Sequence, residues 1–209
     1  MAARVELVRT SGVFTLDGGT FEVDNNVWLI GDHRDVVVID PAHDSELILE
    51  AIGERDVIAI VCTHGHNDHI NGALPLADKT GAPVLLHADD YELWQQVHPD
   101  REPDWPLSDG EVLSVADTDL EVIHTPGHTW GSVCLHAASQ GWLFSGDTLF
   151  EGGPGATGRS YSDFATIISS ISQRLLPLDG DTVVLTGHGP KTTIGKESPN
   201  LPTWIARGH

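Results

Sequence analysis

Apolar and polar positions alternate with a period of two over Val5-Glu6-Leu7-Val8 and over Asn26 to Ile30, then merge into a continuous apolar run at Val36 to Ile39. The alternation predicts half-buried strands, and the continuous run predicts a strand covered on both faces. Asp44-Ser45-Glu46 opens a stretch with Leu47, Ile48 and Ile52 at helical spacing. Its acidic first turn suits the helix dipole, and Gly53 closes it. A strand at Val57 to Cys62, a helix at Ala73 to Ala77, a strand at Val84 to Leu86 and a helix at Asp89 to Val97 follow. Pro99 to Leu107 is rich in proline and predicts a surface loop. Beyond it the pattern predicts strands at Glu111 to Val115, Leu120 to His124, Ser132 to Leu135 and Trp142 to Phe144, a helix from about Asp163 to Leu175, and a strand at Thr182 to Leu185. Strands alternating with crossover helices in both halves predict an α/β layered domain, and 209 residues suit one such domain over 1–209.

Composition supports a real core, with 40% hydrophobic and 20% charged residues. Eleven Lys and Arg stand against 31 Asp and Glu, a formal net charge of −20. That excess repels phosphate backbones and anionic lipid, which argues against nucleic-acid or membrane-surface partners. No apolar run approaches the length of a membrane span, and the start lacks a basic segment followed by a long apolar one, so a cytoplasmic location is expected. The two cysteines, Cys62 and Cys134, each sit inside an apolar run and read as buried reduced thiols on strands.

Of the 12 histidines, His33, His43, His87, His98, His124, His136 and His209 are scattered singly and read as solvated or structurally satisfied. The others are placed differently. Thr63-His64-Gly65-His66-Asn67-Asp68-His69 sets three imidazoles and a carboxylate directly after a buried strand. Metal ligation needs neutral imidazole nitrogens and carboxylate oxygens converging from a rigid platform, and a strand end running into a glycine turn supplies one. His64 and His66, two apart on extended backbone, face the same way and can chelate one ion. Asp68 and His69 follow once the chain has turned and can address a second ion. A surface metal trap remains the competing account of this segment alone.

Four further strand ends bear on that choice. Thr125-Pro126-Gly127-His128 offers a histidine that would otherwise be a turn residue, and Phe144-Ser145-Gly146-Asp147 offers a carboxylate that would otherwise be a cap or Asx turn. Leu185-Thr186-Gly187-His188-Gly189 ends a strand in a histidine between glycines. Val38-Ile39-Asp40-Pro41 ends one in a carboxylate suited to orienting a ligand histidine.

In this order of motifs the chain resembles the metallo-beta-lactamase superfamily, from the strand ending in Asp40 through to His188. The resemblance implies an αβ/βα four-layer sandwich with metals in a groove at one edge of two sheets. By motif position His64, His66 and His128 would hold one metal, Asp68, His69 and His188 another, and Asp147 would bridge both. Asp at 147, where several true beta-lactamases carry Cys, implies the general hydrolase branch. Gly146-Asp147-Thr148-Leu149-Phe150-Glu151-Gly152-Gly153 with Gly158-Arg159, and Gly187-His188-Gly189-Pro190-Lys191, are similar to the short bacterial members of the glyoxalase II type. Longer members of that type use a C-terminal helical extension to hold glutathione, whereas about twenty residues follow His188 here, so the thiol is left open. The run from Gly152 to Arg159 is also longer than the usual Gly-Arg turn.

The implied chemistry is hydrolysis of an acyl thioester of a small thiol. Two divalent ions, zinc first and iron or a mixed pair second, would supply a water made acidic enough to attack the acyl carbon. Asp68 would orient it. A thiolate leaves without prior protonation, its thiol pKa being about 8.5. Other outcomes on the same fold are a persulfide dioxygenase with one iron, a lactone or ester hydrolase, and a non-enzymatic metal binder. Oligomeric state is not legible in the sequence.

Overall fold

The structure is a computed structural model describing residues 2–208; Met1 and His209, and with it the reading of His209 as a scattered histidine, lie outside the described residues. It opens with a hairpin of β1 (Arg4–Leu16) and β2 (Gly19–Gly31), paired antiparallel from Arg4↔Gly31 to Leu16↔Gly19. Both strands run well past the Val5 to Val8 and Asn26 to Ile30 segments expected from alternation. The turn explains how: Asp17 and Gly18 sit at φ 52° and 75°, the left-handed pair that a two-residue hairpin turn requires. The outer half of the hairpin is exposed or half-buried, so its apolar signal is weak.

β3 (Asp35–Ile39) pairs antiparallel with β2, and β4 (Asp56–Val61) and β5 (Val84–His87) continue the sheet in parallel. The crossovers carry α1 (Ser45–Ile52), the single turn α2 (Asn67–Ile70) with α3 (Ala73–Thr80), and α4 (Tyr91–Val97). The proline-rich segment departs from the expected loop at its end, where β6 (Trp105–Leu107) adds a sixth strand, parallel to β5. Asp104 draws it in: its carboxylate accepts from the Val84 N–H while its own N–H donates to the Val84 carbonyl. Pro106 is tolerated because this is an edge strand.

The second sheet has the order β14-β13-β10-β9-β8-β7. It contains β7 (Val112–Val115), β8 (Thr118–His124), β9 (Val133–Ala137), β10 (Trp142–Gly146), β13 (Val183–Thr186) and β14 (Thr192–Thr193). A ribbon of β11 (Leu149–Phe150) and β12 (Gly153–Pro154) precedes α5 (Phe164–Ser170). Asp163 caps α5, and a π turn at Ile171–Leu175 completes the helix expected there. The short α6 (Ile194–Glu197) and α7 (Leu201–Arg207) had no clear sequence signal.

Period two now becomes three apolar layers. Val36 and Val38 pack toward α1 and α3 with Ile48 and Leu76, while Val37 and Ile39 face Val122, Leu135 and Phe144 of the other sheet. Leu143 and Val184 turn outward against Ile167, Ile171 and Trp204. The result is the expected four-layer αβ/βα sandwich. Cys62 and Cys134 are free and buried, and burial pushes both thiols up, Cys134 to about 11. Among the described residues no helix is long and apolar enough to cross a membrane.

Phe144 is fully buried in the inter-sheet layer and meets Trp28 edge-on at 6.3 Å. Phe144→Ala is expected to cost about 3 to 5 kcal/mol of unfolding free energy. Chemical denaturation measures it, and a loss below about 1 kcal/mol would contradict close packing at this point.

Candidate metal centre

Five strands deliver the candidate residues from their C-terminal ends. Asp40 directly follows β3 with φ 54°, a left-handed conformation that aspartate tolerates. Its carboxylate accepts from the N–H and the hydroxyl of Thr63, both at 2.7 Å, which ties the ends of β3 and β4 together. From Thr63 the chain passes His64, Gly65 and His66 into α2, which carries Asp68 and His69. The segments after β8, β10 and β13 bring His128, Asp147 and His188 to the same edge.

All eight sequence candidates converge. The ligand-capable atoms of His64, His66 and His128 form one tight group, those of His64, His69 and Asp147 a second, and those of Asp68, His69 and His188 a third. His64 Nε2 lies 3.1 Å from His66 Nδ1, which lies 3.0 Å from His128 Nε2, and His69 Nε2 lies 3.2 Å from His188 Nε2. Asp147 stands among them, Oδ1 at 3.5 Å from His69 Nε2 and Oδ2 at 3.6 and 3.4 Å from the Nε2 atoms of His128 and His188.

The outer nitrogens fix the ring orientations. Each Nδ1 donates outward: His64 to Thr63 Oγ1, His69 to Asp40 Oδ2, His128 to the Ala156 carbonyl and His188 to the Asp24 carbonyl. Their Nε2 atoms therefore point inward, each offering its lone pair to a cation or, in the metal-free protein, to a proton. Two such lone pairs repel at about 3 Å unless a proton or cation lies between them, and ligands 2.0 to 2.1 Å from a tetrahedral ion are separated by roughly 3.3 Å. Asp68 Oδ1 and Asp147 Oδ1 are buried with no hydrogen-bond partner among the described residues. Donor type, spacing and these two oxygens fit divalent cations.

Electrostatics points the same way. Burial pushes His64 well below its ordinary value and His66 to about 3, so both stay neutral. Burial alone would raise the two carboxylates, but the charges on His69 and His188 hold Asp147 well below the usual range, and His69 with hydrogen bonds from His188 and Asn25 brings Asp68 to about 2. Burial opposes charge on His69 and His188 as well; Asp147 and Asp68 outweigh it, raising His69 well above its ordinary value and His188 to about 10. Cations entering this site displace those protons.

Supporting residues had no motif to announce them. Asn25 donates to the carbonyl and carboxylate of Asp68, and His43, expected to be structurally satisfied, holds the Asn25 carbonyl at 2.9 Å. Asp90 is the more consequential. It is 1% exposed, and its carboxylate accepts from Gly65 N, Thr129 Oγ1 and Gly131 N at 2.6 to 2.7 Å. It thereby joins the His64–His66 turn to the segment after His128. Glycine is required on both sides, because a Cβ at Gly131 would lie 2.7 Å from the Asp90 carboxyl carbon and one at Gly65 3.0 Å from its Cβ.

Residues 20–188 match the family profile described as metallo-beta-lactamase superfamily. The chain is 33% identical over 189 residues to a hydroxyacylglutathione hydrolase, GloC, of Haemophilus influenzae, covering 82% of this chain and 88% of that one. Among solved structures it resembles BLEG-1, a B3 metallo-beta-lactamase, with TM-score 0.79, 28% identity and coverage of 93% and 99%. It also resembles TTHA1623, solved in a di-iron-bound form, with TM-score 0.74, 31% identity and coverage of 84% and 93%.

Asp90→Asn keeps the size of the side chain but turns an N–H group toward donors. Divalent-metal affinity, read by competition with a chromogenic chelator, is expected to fall about 10- to 100-fold while the circular dichroism spectrum stays native. Unchanged affinity would show that Asp90 does not set the spacing of the two histidine segments.

Proposed function

The chain belongs to the metallo-beta-lactamase superfamily, and on that footing we propose that it is a binuclear metal-dependent hydrolase that cleaves an acyl thioester of a small thiol. The observation that carries the binuclear reading is the position of Asp147, one carboxylate facing histidines of both groups. In this reading His64, His66 and His128 would hold one ion, Asp68, His69 and His188 the other, Asp147 would serve both, and Asp40 orients His69. Imidazole and carboxylate donors suit zinc and also iron; zinc is proposed. When bound, the pair supplies an activated water and polarises the substrate carbonyl.

The chain's own groups do the remainder. Asp68 is pinned by Asn25 and lines the cleft, which suits it to accept a hydrogen bond from the attacking water and aim it. No separate general acid is needed, because a thiolate of ordinary pKa, about 8.5, departs unprotonated. A cleft of about 290 Å³ opens over His66, Asp68, His128, Asp147 and His188. Phe14, Leu16, Val23 and Phe150 give it apolar walls that shield the reacting carbonyl from bulk water. The thioester assignment is supported by the likeness to GloC and by the Gly146 to Gly153 motif. Both buried reduced thiols suit the cytoplasm, the location proposed here.

Purified protein is expected to cleave S-lactoylglutathione or a simpler acyl thioester under strict anaerobiosis, and His188→Ala to lose most of the rate. Product thiol captured by a disulfide reagent gives the readout. Sulfite formed from a persulfide only when oxygen is present, with no thioester cleavage, would replace this reading by the one-iron dioxygenase.

A further inference from the structure

Four of the five histidines in the cluster have an outer ring nitrogen held by an acceptor, at Thr63, Asp40, Ala156 or Asp24. His66 is the exception. It turns Nδ1 rather than Nε2 toward its partners, 3.1 Å from His64 Nε2 and 3.0 Å from His128 Nε2. Its Nε2 is buried with no hydrogen-bond partner among the described residues. Rotation about the last bond of a histidine side chain is only weakly restricted by the side chain itself, so the surroundings must hold the ring. The ring of Phe14 meets it edge-on, with 5.0 Å between centroids and an interplanar angle of 63°. Among the described residues the other rings against His66 are the imidazoles of His64 and His128, which lie on its Nδ1 side.

Phe14 sits on the outer half of the β1–β2 hairpin, where side chains are exposed or half-buried and packing alone fixes little. Asn67, the residue that follows His66, supplies the anchor. Its Oδ1 accepts from the Thr15 N–H at 2.7 Å, and its Nδ2 donates to the Val13 carbonyl at 2.8 Å. The two bonds bracket Phe14. They use the outward N–H and C=O of an edge strand as one residue of a parallel neighbouring strand would. A carboxylate at 67 could not donate to Val13, and an alanine would leave both backbone groups to solvent, so the pattern calls for the amide.

We propose that Phe14 is a positioning residue for His66 and that Asn67 seats it, so that the hairpin does for His66 what a hydrogen-bond acceptor does for the other four histidines. An edge-on aromatic contact limits the angles open to the imidazole and keeps Nδ1 aimed at the cluster, which reduces the freedom lost when a cation arrives. The assignment rests on the reading in which His64, His66 and His128 hold one ion. It gives the segment His66-Asn67-Asp68 a second task, since the residue between two candidate ligands fixes the chain that packs on the first of them.

Zinc affinity, read by competition with a chromogenic chelator, is measured in two backgrounds: His188→Ala, which leaves the site of His64, His66 and His128, and His66→Ala, which leaves the other. In the His188→Ala background, Phe14→Leu and Asn67→Ala are each expected to weaken binding about tenfold. Combining them should cost no more than about twofold beyond the larger single loss, because both act through one contact. Phe14→Tyr keeps the ring and should bind as Phe14 does. In the His66→Ala background Phe14→Leu should change nothing, which separates positioning of His66 from a general loosening of the hairpin. By reciprocity, zinc should slow hydrogen exchange at the Thr15 amide in the His188→Ala protein, and Phe14→Leu should remove that slowing. Affinity unmoved by Phe14→Leu in the His188→Ala background, or an equal loss in the His66→Ala background, would overturn the assignment. A single zinc per wild-type chain, weakened by Phe14→Leu and restored by Phe14→Tyr, would support the positioning role and overturn the binuclear reading.

Discussion

Burying basic nitrogens face to face is the constraint on which this molecule depends. His66 Nδ1 stands 3.0 to 3.1 Å from two other imidazole nitrogens, and His69 and His188 meet at 3.2 Å. In the protein interior such an arrangement is costly unless positive charge sits between the lone pairs. The fold holds it through backing hydrogen bonds, from Asp40 and Thr63 beneath His69 and His64 to the Ala156 and Asp24 carbonyls behind His128 and His188. Those backing groups are fixed in turn by strands whose opposite faces fill separate apolar layers. Val36 and Val38 serve the helix layer and Val37 and Ile39 the inter-sheet layer, so β3 cannot slip by one residue without exchanging both faces. Register at the strand ends follows from that.

The residues that converge at the sheet edge are legible in the sequence because they are polar groups placed where apolar runs stop. A buried strand announces itself by composition, and the residue after it is necessarily at the sheet edge. Asp40, His64, His66, Asp68, His69, His128, Asp147 and His188 were all accessible to that reasoning. Asp90 was not: it lies in an ordinary helix-start sequence, and only the meeting of two distant glycine-containing turns gives its carboxylate three donors. Asn25 and His43 escaped for the same reason, since Asn25 matters through its contact with Asp68 and His43 through its hold on Asn25. The Asp17-Gly18 turn was visible in principle, but the outer hairpin has too little burial to sustain an alternating pattern. Strand Trp105–Leu107 was hidden by its prolines, which an edge position allows.

The same hairpin reaches past the sheet to the rim of the cleft. Its length carries Phe14 and Phe21 beyond the sheet to meet Arg159, and its tip carries Asp17 to the Ser160 N–H. The extended glycine-rich segment between β11 and α5 thus has a structural counterpart: it must reach across the cleft and still supply the Ala156 carbonyl to His128. One loop therefore orients the His128 imidazole and carries the guanidinium that lines the cleft.

The central claim is that Asp147 serves two cations at once. Metal-free protein titrated with zinc, with bound metal counted by elemental analysis after gel filtration, measures this directly. The account predicts saturation at two zinc ions per chain in the wild type and weakened binding at both sites in Asp147→Ala. Saturation at one ion per chain, or an Asp147→Ala protein that still binds two with unchanged affinity, would contradict it.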